Sequence, residues 1–285
     1  MWKYVNPGYG ELLDEKLGTT RSTTYNPKNG VCIGGQINYG KINLPNLKEI
    51  YIKFNVYFKS STDYFNVYAS KDNVKIGLLK NSYDNLGVVI GDAEYESIMK
   101  FNTNTLYSVL LHIKTGIKGV VELFADNTLV KAYNTQITAG SFDAVKIRAQ
   151  TDYVSNIIIS DQDIRDESVL VVPLGEPTGT WSGISDGEAK ATEVDQVLTQ
   201  SLKIDDIKNI VGTDTVTSVS VAAYDIRYDS EKVNSMEASI IKDGSNLTSA
   251  TKSITNNAIT PITFMKNMTI DNLANTSVSF TAKKV

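Results

Sequence analysis

The chain has 285 residues, and its 28 Lys and Arg against 32 Asp and Glu give a formal net charge of −4. This length allows one large β domain or two domains with separate cores, and we predict two. No segment gathers Lys or Arg into a basic stripe with interleaved aromatic residues, which nucleic-acid binding would need. Nucleic acid is therefore not expected as a partner.

Targeting signals and cysteine content limit the cellular locations and the cross-links that are expected for the protein. Residues 1–8 lack the apolar core of a secretory signal, and no run approaches the roughly 18 apolar residues of a membrane span. We therefore expect no signal peptide and no membrane insertion. The single cysteine, Cys32, excludes an internal disulfide framework and, in its Gly-rich apolar stretch, is predicted to be a small buried side chain.

The first clear element spans residues 49–59, where apolar and polar residues alternate almost without interruption. This period predicts a half-buried strand. The side chains predicted to face inward are Ile50, Ile52, Phe54, Val56 and Phe58. Further short strands are predicted at 64–69, 74–79, 86–90 and 95–101, with a hairpin turn at 70–73.

Residues 107–133 predict a β-meander of three strands. The apolar face of its first strand is predicted to hold Tyr107, Val109, Leu111 and Ile113, with His112 on the opposite, mixed face. Thr115 and the glycines 116 and 119 interrupt the apolar pattern, and Asp126-Asn127 predicts a tight turn into the third strand.

Two further strands, at 145–149 and 154–160, are predicted to complete the first domain, and we place the boundary near 165. The predicted domains are therefore 1–165 and 166–285. In the second, residues 191–202 predict a strand pair or a weak helix, and 205–212 predict a helical turn with an Asp cap and a Gly stop. Strands follow at 216–224, 235–241, 248–254, 263–269 and 278–282. The predicted fold is all-β, a jelly-roll sandwich followed by a smaller β-rich domain.

The aromatic opening of 107–113, its alternating Val-x-Leu-x-Ile pattern and the Asp126-Asn127 turn resemble the central hairpins of concanavalin A-like, laminin-G-type jelly rolls. Tyr107 stands where many members have Trp, and Thr128 where Gly is common. The family includes lectins, glycan-binding modules, hydrolases and structural domains. The resemblance therefore implies a fold and does not select a function.

A second resemblance covers nearly the whole chain. The opening Trp-Lys-Tyr-Val-Asn-Pro-Gly-Tyr at 2–9, the Ser-Asn-Ile-Ile-Ile-Ser-Asp exit at 155–161 and the Val-Leu-Val-Val-Pro-Leu run at 169–174 resemble phage-type virion proteins of low-GC Gram-positive bacteria. This implies a tail, fibre, baseplate or decoration component of a phage or phage-tail-like particle, assembled in the host cytoplasm. The implied partners are other virion or tail subunits, further copies of the chain and a host-surface glycan.

Few residues suggest catalytic chemistry. His112 is the only histidine, and its apolar strand neighbours favour a structural or surface role over a place in a catalytic triad. With one His and one Cys, a tetrahedral zinc site lacks ligands. Glu94 and Glu96 share a predicted strand face, but the Glu-x-Asp-x-x-Glu motif of jelly-roll hydrolases is absent. We therefore predict no catalytic residue, no metal, no cofactor and no enzymatic activity.

Two loops and a set of tyrosines remain as candidates for binding. Asp126-Asn127 and the acids of Asp161-Gln162-Asp163 could ligate calcium, although Asp and Asn favour turns for backbone reasons alone. Six tyrosines of the first domain could stack on sugar rings or contact a protein: Tyr51, Tyr57, Tyr64, Tyr68, Tyr83 and Tyr95. No ligand-binding residue is assigned. A free lectin and a polysaccharide-degrading enzyme are the alternative functions.

Overall fold

In a computed structural model the chain is almost entirely β, which confirms the predicted fold class. The structure describes residues 2–8, 10, 13–18, 20–21, 32–34, 37–60, 64–72, 74–80, 85–91, 93–172, 174–184, 189–205, 215–216, 219–223, 227–254, 260–264, 268–269 and 273–285. The chain forms two compact units, Met1–Val171 and Val172–Val285. Each unit has its own hydrophobic core.

The first unit contains fifteen described strands: β1 Trp2–Asn6, β2 Glu15–Leu17, β3 Thr20–Arg21, β4 Ile33–Gly34, β5 Ile37–Leu47, β6 Glu49–Phe58, β7 Phe65–Lys71, β8 Val74–Lys80, β9 Asn85–Ile90, β10 Ala93–Lys100, β11 Thr105–Lys114, β12 Gly116–Ala125, β13 Thr128–Ile137, β14 Phe142–Ala149 and β15 Tyr153–Ser160. The described strands of the second unit are β16 Thr178–Gly179, β17 Lys190–Ala191, β18 Val197–Ser201, β19 Thr215–Val216, β20 Val219–Ala223, β21 Arg227–Tyr228, β22 Ser235–Lys242, β23 Ser245–Ser253, β24 Thr260–Phe264, β25 Met268–Thr269 and β26 Thr276–Lys283.

Two antiparallel sheets make up the first unit. Sheet A has the order β13-β12-β11-β6-β15-β4-β3, with β1 also paired to β15, and sheet B has the order β10-β9-β8-β7-β14-β5-β2. The strands of both sheets contribute alternate residues to one hydrophobic core. Each sheet therefore has an inner face on this core and an outer face.

The predicted inward face of β6 is confirmed, since its five apolar side chains are at most 1% exposed. The meander is confirmed as well, as β11, β12 and β13. Asp126 and Asn127 connect β12 to β13 with φ angles of 47° and 63°. A two-residue turn with both φ angles positive matches the right-handed twist of a hairpin, and Asp and Asn tolerate this conformation well.

A buried ion pair joins Lys80, at the end of β8, to Asp152, in the connection between β14 and β15. Lys80 Nζ lies 2.5 Å from Asp152 Oδ2, and neither side chain is exposed. The other carboxylate oxygen of Asp152 accepts hydrogen bonds from the backbone N–H groups of Lys59 and Ser60. Burial raises the pKa of Asp152, although the bond from Lys80 acts in the opposite direction.

The outer face of sheet A is partly covered by residues 163–169, which we call the strap. Ile164 and Val169 of the strap are buried with Leu110, Phe124 and Ile158 in a small apolar cluster. Polar contacts support this packing. Lys53 Nζ donates a hydrogen bond to the carbonyl oxygen of Arg165, whose guanidinium carbon lies 5.4 Å from the ring centroid of Phe124. The strap belongs to the first compact unit, which ends at Val171.

The second unit is built on a five-stranded sheet of order β16-β18-β26-β22-β23. Its core includes Trp181, Met236, Ile240 and Phe280. The 191–202 segment, predicted to be a strand pair or a weak helix, holds the end of β17 and all of β18, which pair with other strands and not with each other. The predicted helical turn at 205–212 lies outside the described residues after Asp205. No helix within the described ranges is long and apolar enough to cross a membrane.

Candidate functional site

The outer face of sheet B carries a row of polar side chains across its central strands. In the backbone register, Lys146 of β14 lies between Lys41 of β5 and Tyr68 of β7, and Tyr68 pairs in turn with Gly77 of β8. Val145 and Ile147, the neighbours of Lys146, are buried in the core. Because side chains alternate along a strand, Lys146 and its partners in the row lie on the outer face.

Tyr68 is held in this row by its neighbours on β8. A Cβ atom added to Gly77 would lie 2.3 Å from the Tyr68 Cα, so this register needs glycine opposite the tyrosine. The ammonium of Lys75 lies 5.9 Å from the Tyr68 ring centroid. An aromatic ring with a cation over it thus stands at the centre of sheet B.

Arg148 extends the row along β14, two residues beyond Lys146. Its guanidinium carbon lies 4.9 Å from the ring centroid of Tyr64, a side chain that is 63% exposed. The Nε atom of Arg148 is buried and has no hydrogen-bond partner among the described residues. A buried donor without an acceptor is uncommon in folded proteins.

Lys41 and Tyr39 on β5 meet Glu15 of the edge strand β2. Lys41 Nζ lies 2.7 Å from Glu15 Oε1, and the Tyr39 hydroxyl donates to Glu15 Oε2 at 3.4 Å. Burial and the nearby Glu15 raise the pKa of Tyr39. Burial also raises the pKa of Tyr68, with Tyr39 adding to the rise and Arg148 opposing it. Both hydroxyl groups therefore keep their protons at neutral pH and can donate hydrogen bonds.

The surface built from these residues is named the cationic face. Its members are Tyr39, Lys41, Tyr64, Tyr68, Lys75, Lys146 and Arg148. Tyr39, Lys41, Tyr68, Lys146 and Arg148 are half-buried, while Tyr64 and Lys75 are exposed. Within the described part of the chain, no carboxylate forms an ion pair with Lys75, Lys146 or Arg148.

The six tyrosines singled out from the sequence do not form one patch. Tyr64 and Tyr68 belong to the cationic face, whereas Tyr51 and Tyr57 alternate with the core residues of β6 on the outer side of sheet A. Tyr83 lies outside the described residues, as does the side chain of Tyr95.

Sequence reasoning missed five residues of the cationic face as site residues: Tyr39, Lys41, Lys75, Lys146 and Arg148. One available signal was the pattern Val-Lys-Ile-Arg-Ala at 145–149, which places Lys146 and Arg148 on the same side of a strand. The pairing of β14 with β5 and β7, which brings Lys41 and Tyr68 beside them, leaves no local signal.

His112 lies on sheet A, away from the cationic face. Its Nδ1 is 2.8 Å from Glu122 Oε2 and its Nε2 is 2.9 Å from Glu49 Oε1. The ring stacks on Tyr51, with centroids 4.1 Å apart and planes at 7°. Both ring nitrogens are thus engaged within the fold, in agreement with the predicted structural role.

The acidic loop residues considered for calcium are bound within the protein. Asp126 Oδ1 accepts a hydrogen bond from the Ser108 backbone at 2.9 Å. Asp161 pairs with Lys3, and Asp163 with Arg165. No group of three or more His, Cys, Asp or Glu that could hold a metal ion occurs in the described ranges. Glu94 and Glu96 lie on β10, but their side chains are outside the described part. Cys32 is buried, as predicted.

Comparison with known proteins finds no matching protein-family model and no significantly similar curated protein. Similar solved structures include an endo-β-1,4-glucuronan lyase from the fungus Trichoderma reesei, with 10% identity, a TM-score of 0.45 and coverage of 58% of this chain and 98% of the lyase. A galectin from Caenorhabditis elegans has 10% identity, a TM-score of 0.35 and coverage of 42% and 89%. A sialidase has 11% identity and a TM-score of 0.38, and the match spans 47% of this chain but only 15% of the sialidase.

At such low identity the likeness concerns the fold alone. The comparison also corrects one sequence-based prediction. We expected a protein without enzymatic activity, and this expectation is wrong as stated, because a lyase and a sialidase are among the structures that the chain resembles.

Proposed function

We propose that the first unit recognises carbohydrate and binds a glycan across the cationic face of sheet B. The observation that carries the proposal is the row of Lys41, Lys146 and Tyr68 beside Arg148, whose guanidinium packs on the exposed ring of Tyr64. A sugar ring offers both an apolar face for tyrosine stacking and hydroxyl oxygens for Lys and Arg donors.

The setting of these side chains favours binding of an extended ligand. They project from adjacent, hydrogen-bonded strands, so their spacing is fixed by the sheet and not by a loop. By contrast, the outer face of sheet A carries the strap, which occupies the surface around Leu110 and Phe124. Sheet B is therefore the surface that we assign to the glycan.

A glycan array and a binding titration test this function. We expect the parent protein to bind at least one glycan and Tyr68→Ala to weaken that binding about tenfold, which corresponds to a loss of about 1.4 kcal/mol. Tyr57→Ala, a half-buried tyrosine on the outer face of sheet A, is the matched control and should bind as the parent does. Absence of any glycan ligand, or an equal loss in both variants, would contradict the proposal.

A role in a phage or phage-tail-like particle is the second part of the proposal. Its support is the sequence resemblance of residues 2–9, 155–161 and 169–174 to virion proteins. A host-surface glycan would then be the ligand, and other virion subunits and copies of the chain would be the partners. Light scattering of the purified chain, together with co-sedimentation with tail-like particles, tests this part. A chain that stays monomeric and does not sediment with particles would count against it.

A further inference from the structure

We infer that the glycan is an acidic polysaccharide, and that Lys146 and Arg148 bind its anionic groups. This inference rests on the proposed function and names the class of its ligand. It concerns the charge on the cationic face, which differs from that of the chain as a whole.

The first argument is the local excess of positive charge. The whole chain carries a net charge of −4, yet Lys41, Lys75, Lys146 and Arg148 share one face of one sheet. The carboxylate of Glu15 accepts a hydrogen bond from Lys41, which raises the pKa of Lys41, and its charge also interacts with Lys146. Lys75, Lys146 and Arg148 form no ion pair with a carboxylate in the described structure, which favours an anionic ligand.

Spacing is the second argument. Residues two apart on a strand lie about 7 Å from each other on the same face, which is the relation between Lys146 and Arg148. Directly paired positions on antiparallel strands lie about 5 Å apart, which is the relation of Lys146 to Lys41. The cations thus form a small two-dimensional array. A polymer with a negative charge on successive units can contact several of them at once, whereas a single small anion cannot.

The third argument is the geometry of Arg148. A guanidinium binds a planar carboxylate or a phosphate through two parallel N–H donors, and the edge formed by Nε and one terminal nitrogen is one such pair. In Arg148 the Nε donor of this edge is itself buried, so the edge formed by the two terminal nitrogens is the one that an anionic group can reach. Packing of its guanidinium against Tyr64 restricts the plane of the fork. One acidic group would accept hydrogen bonds from these terminal N–H donors.

The test compares four immobilised polymers by biolayer interferometry with the full chain. Polygalacturonate carries carboxylates, and carboxyl-reduced polygalacturonate has the same backbone without charge. A teichoic acid carries phosphate instead of carboxylate, so it distinguishes the two sources of anionic groups. Poly-L-glutamate carries carboxylates but no sugar. We expect binding to at least one of the two anionic glycans, weaker binding at higher salt, and at least tenfold weaker binding to the reduced polymer and to polyglutamate.

Variants then assign the binding to particular residues. Lys146→Met and Arg148→Met should each weaken binding to the anionic glycan about tenfold, since each removes a charge-assisted contact. Arg148→Lys keeps the charge but loses the fork and should weaken binding as well. Lys131→Met is the matched control, because Lys131 Nζ also lies over a tyrosine ring, at 5.7 Å from the Tyr133 centroid, but on sheet A. Melting temperatures confirm that each variant is folded.

The outcomes separate this inference from the proposed function. Binding to reduced polygalacturonate as tight as to the anionic glycans would overturn the acidic class while supporting glycan recognition. Binding to polyglutamate as tight as to the anionic glycans would overturn carbohydrate recognition and leave only a charge effect. Lack of binding to every polymer would overturn the acidic class, and a negative glycan array would then overturn the function also. An equal loss in Lys131→Met and Arg148→Met would remove the assignment to the cationic face.

Discussion

Gly77 lies opposite Tyr68 on the neighbouring strand of sheet B, so close that any Cβ atom at Gly77 would be 2.3 Å from both the Cα and the Cβ of Tyr68. Non-bonded carbon atoms do not approach to such a distance. The absence of a side chain at Gly77 is therefore a condition for placing Tyr68 on the cationic face.

Gly77→Ala is expected to destabilise the protein by about 1–3 kcal/mol, the usual cost of overpacking. The added methyl group must displace the backbone of β7, and the lower entropy of the unfolded chain offsets only a part of this. Urea unfolding measures the effect. Gly140→Ala is the control, because a Cβ there has no heavy atom within 4 Å. Equal stability of the two variants would show that the pairing of Gly77 with Tyr68 is wrong.

Lys80→Met should lower the free energy of unfolding much more than removal of a surface cation does. The variant leaves the Asp152 carboxylate buried without its counter-ion, at a cost of about 3–5 kcal/mol. The double variant Lys80→Met/Asp152→Asn removes both charges and should recover a large part of the loss. Lys283→Met, which breaks an exposed pair with Asp195, should leave the free energy of unfolding unchanged within error. A double variant as unstable as Lys80→Met would contradict this account.

The pairing of Glu49 with His112 predicts a dependence of stability on pH. Burial alone would raise the pKa of Glu49, but hydrogen bonds from His112 and Lys114 bring it below its usual value of 4.5. Because the folded pKa is the lower one, the stabilisation is present above pH 4.5 and is lost as the pH falls through the folded value.

Melting temperatures of the parent and of Glu49→Gln between about pH 6 and pH 3 test this dependence. The difference between the two proteins should be largest above pH 4.5 and should shrink as the pH falls. Glu176→Gln, at an exposed position in the second unit, is the control and should follow the parent at each pH. A constant difference between parent and Glu49→Gln would contradict the expected linkage.

The sequence predicted those features of the fold that depend on local alternation. The inward face of β6 and the apolar face of β11 follow from a period of two, and Asp126-Asn127 marks its own turn. Strand β5 was missed because Gly40 and Pro45 break its pattern, and its pairing with β14 contains two register shifts. Periodicity gives no signal for such irregular strands.

The cationic face was not predicted for a related reason. Lys41, Tyr68 and Lys146 come from strands that are far apart in the sequence and become neighbours only in sheet B. A single sequence contains no information on which strands pair, whereas it does show which side of one strand is apolar. From the sequence, candidate residues could be named one strand at a time, as His112 and the tyrosines were, but not as a group that meets on one sheet.

The strap provides a last prediction, which also concerns the extent of the first unit. Ile164 and Val169 are 2% and 7% exposed, in a cluster with Leu110, Phe124 and Ile158. Ile164→Ala should therefore cost about 2–5 kcal/mol, whereas Ile117→Ala, at a position that is 84% exposed, should have little effect.

For the same reason, a fragment of residues 1–171 should melt at a higher temperature than a fragment of residues 1–165, which lacks Val169 and leaves apolar atoms of sheet A in water. Calorimetry of the two fragments measures the difference. Equal melting temperatures, together with a tolerated Ile164→Ala, would mean that the strap does not stabilise sheet A and that the first unit is complete at residue 165.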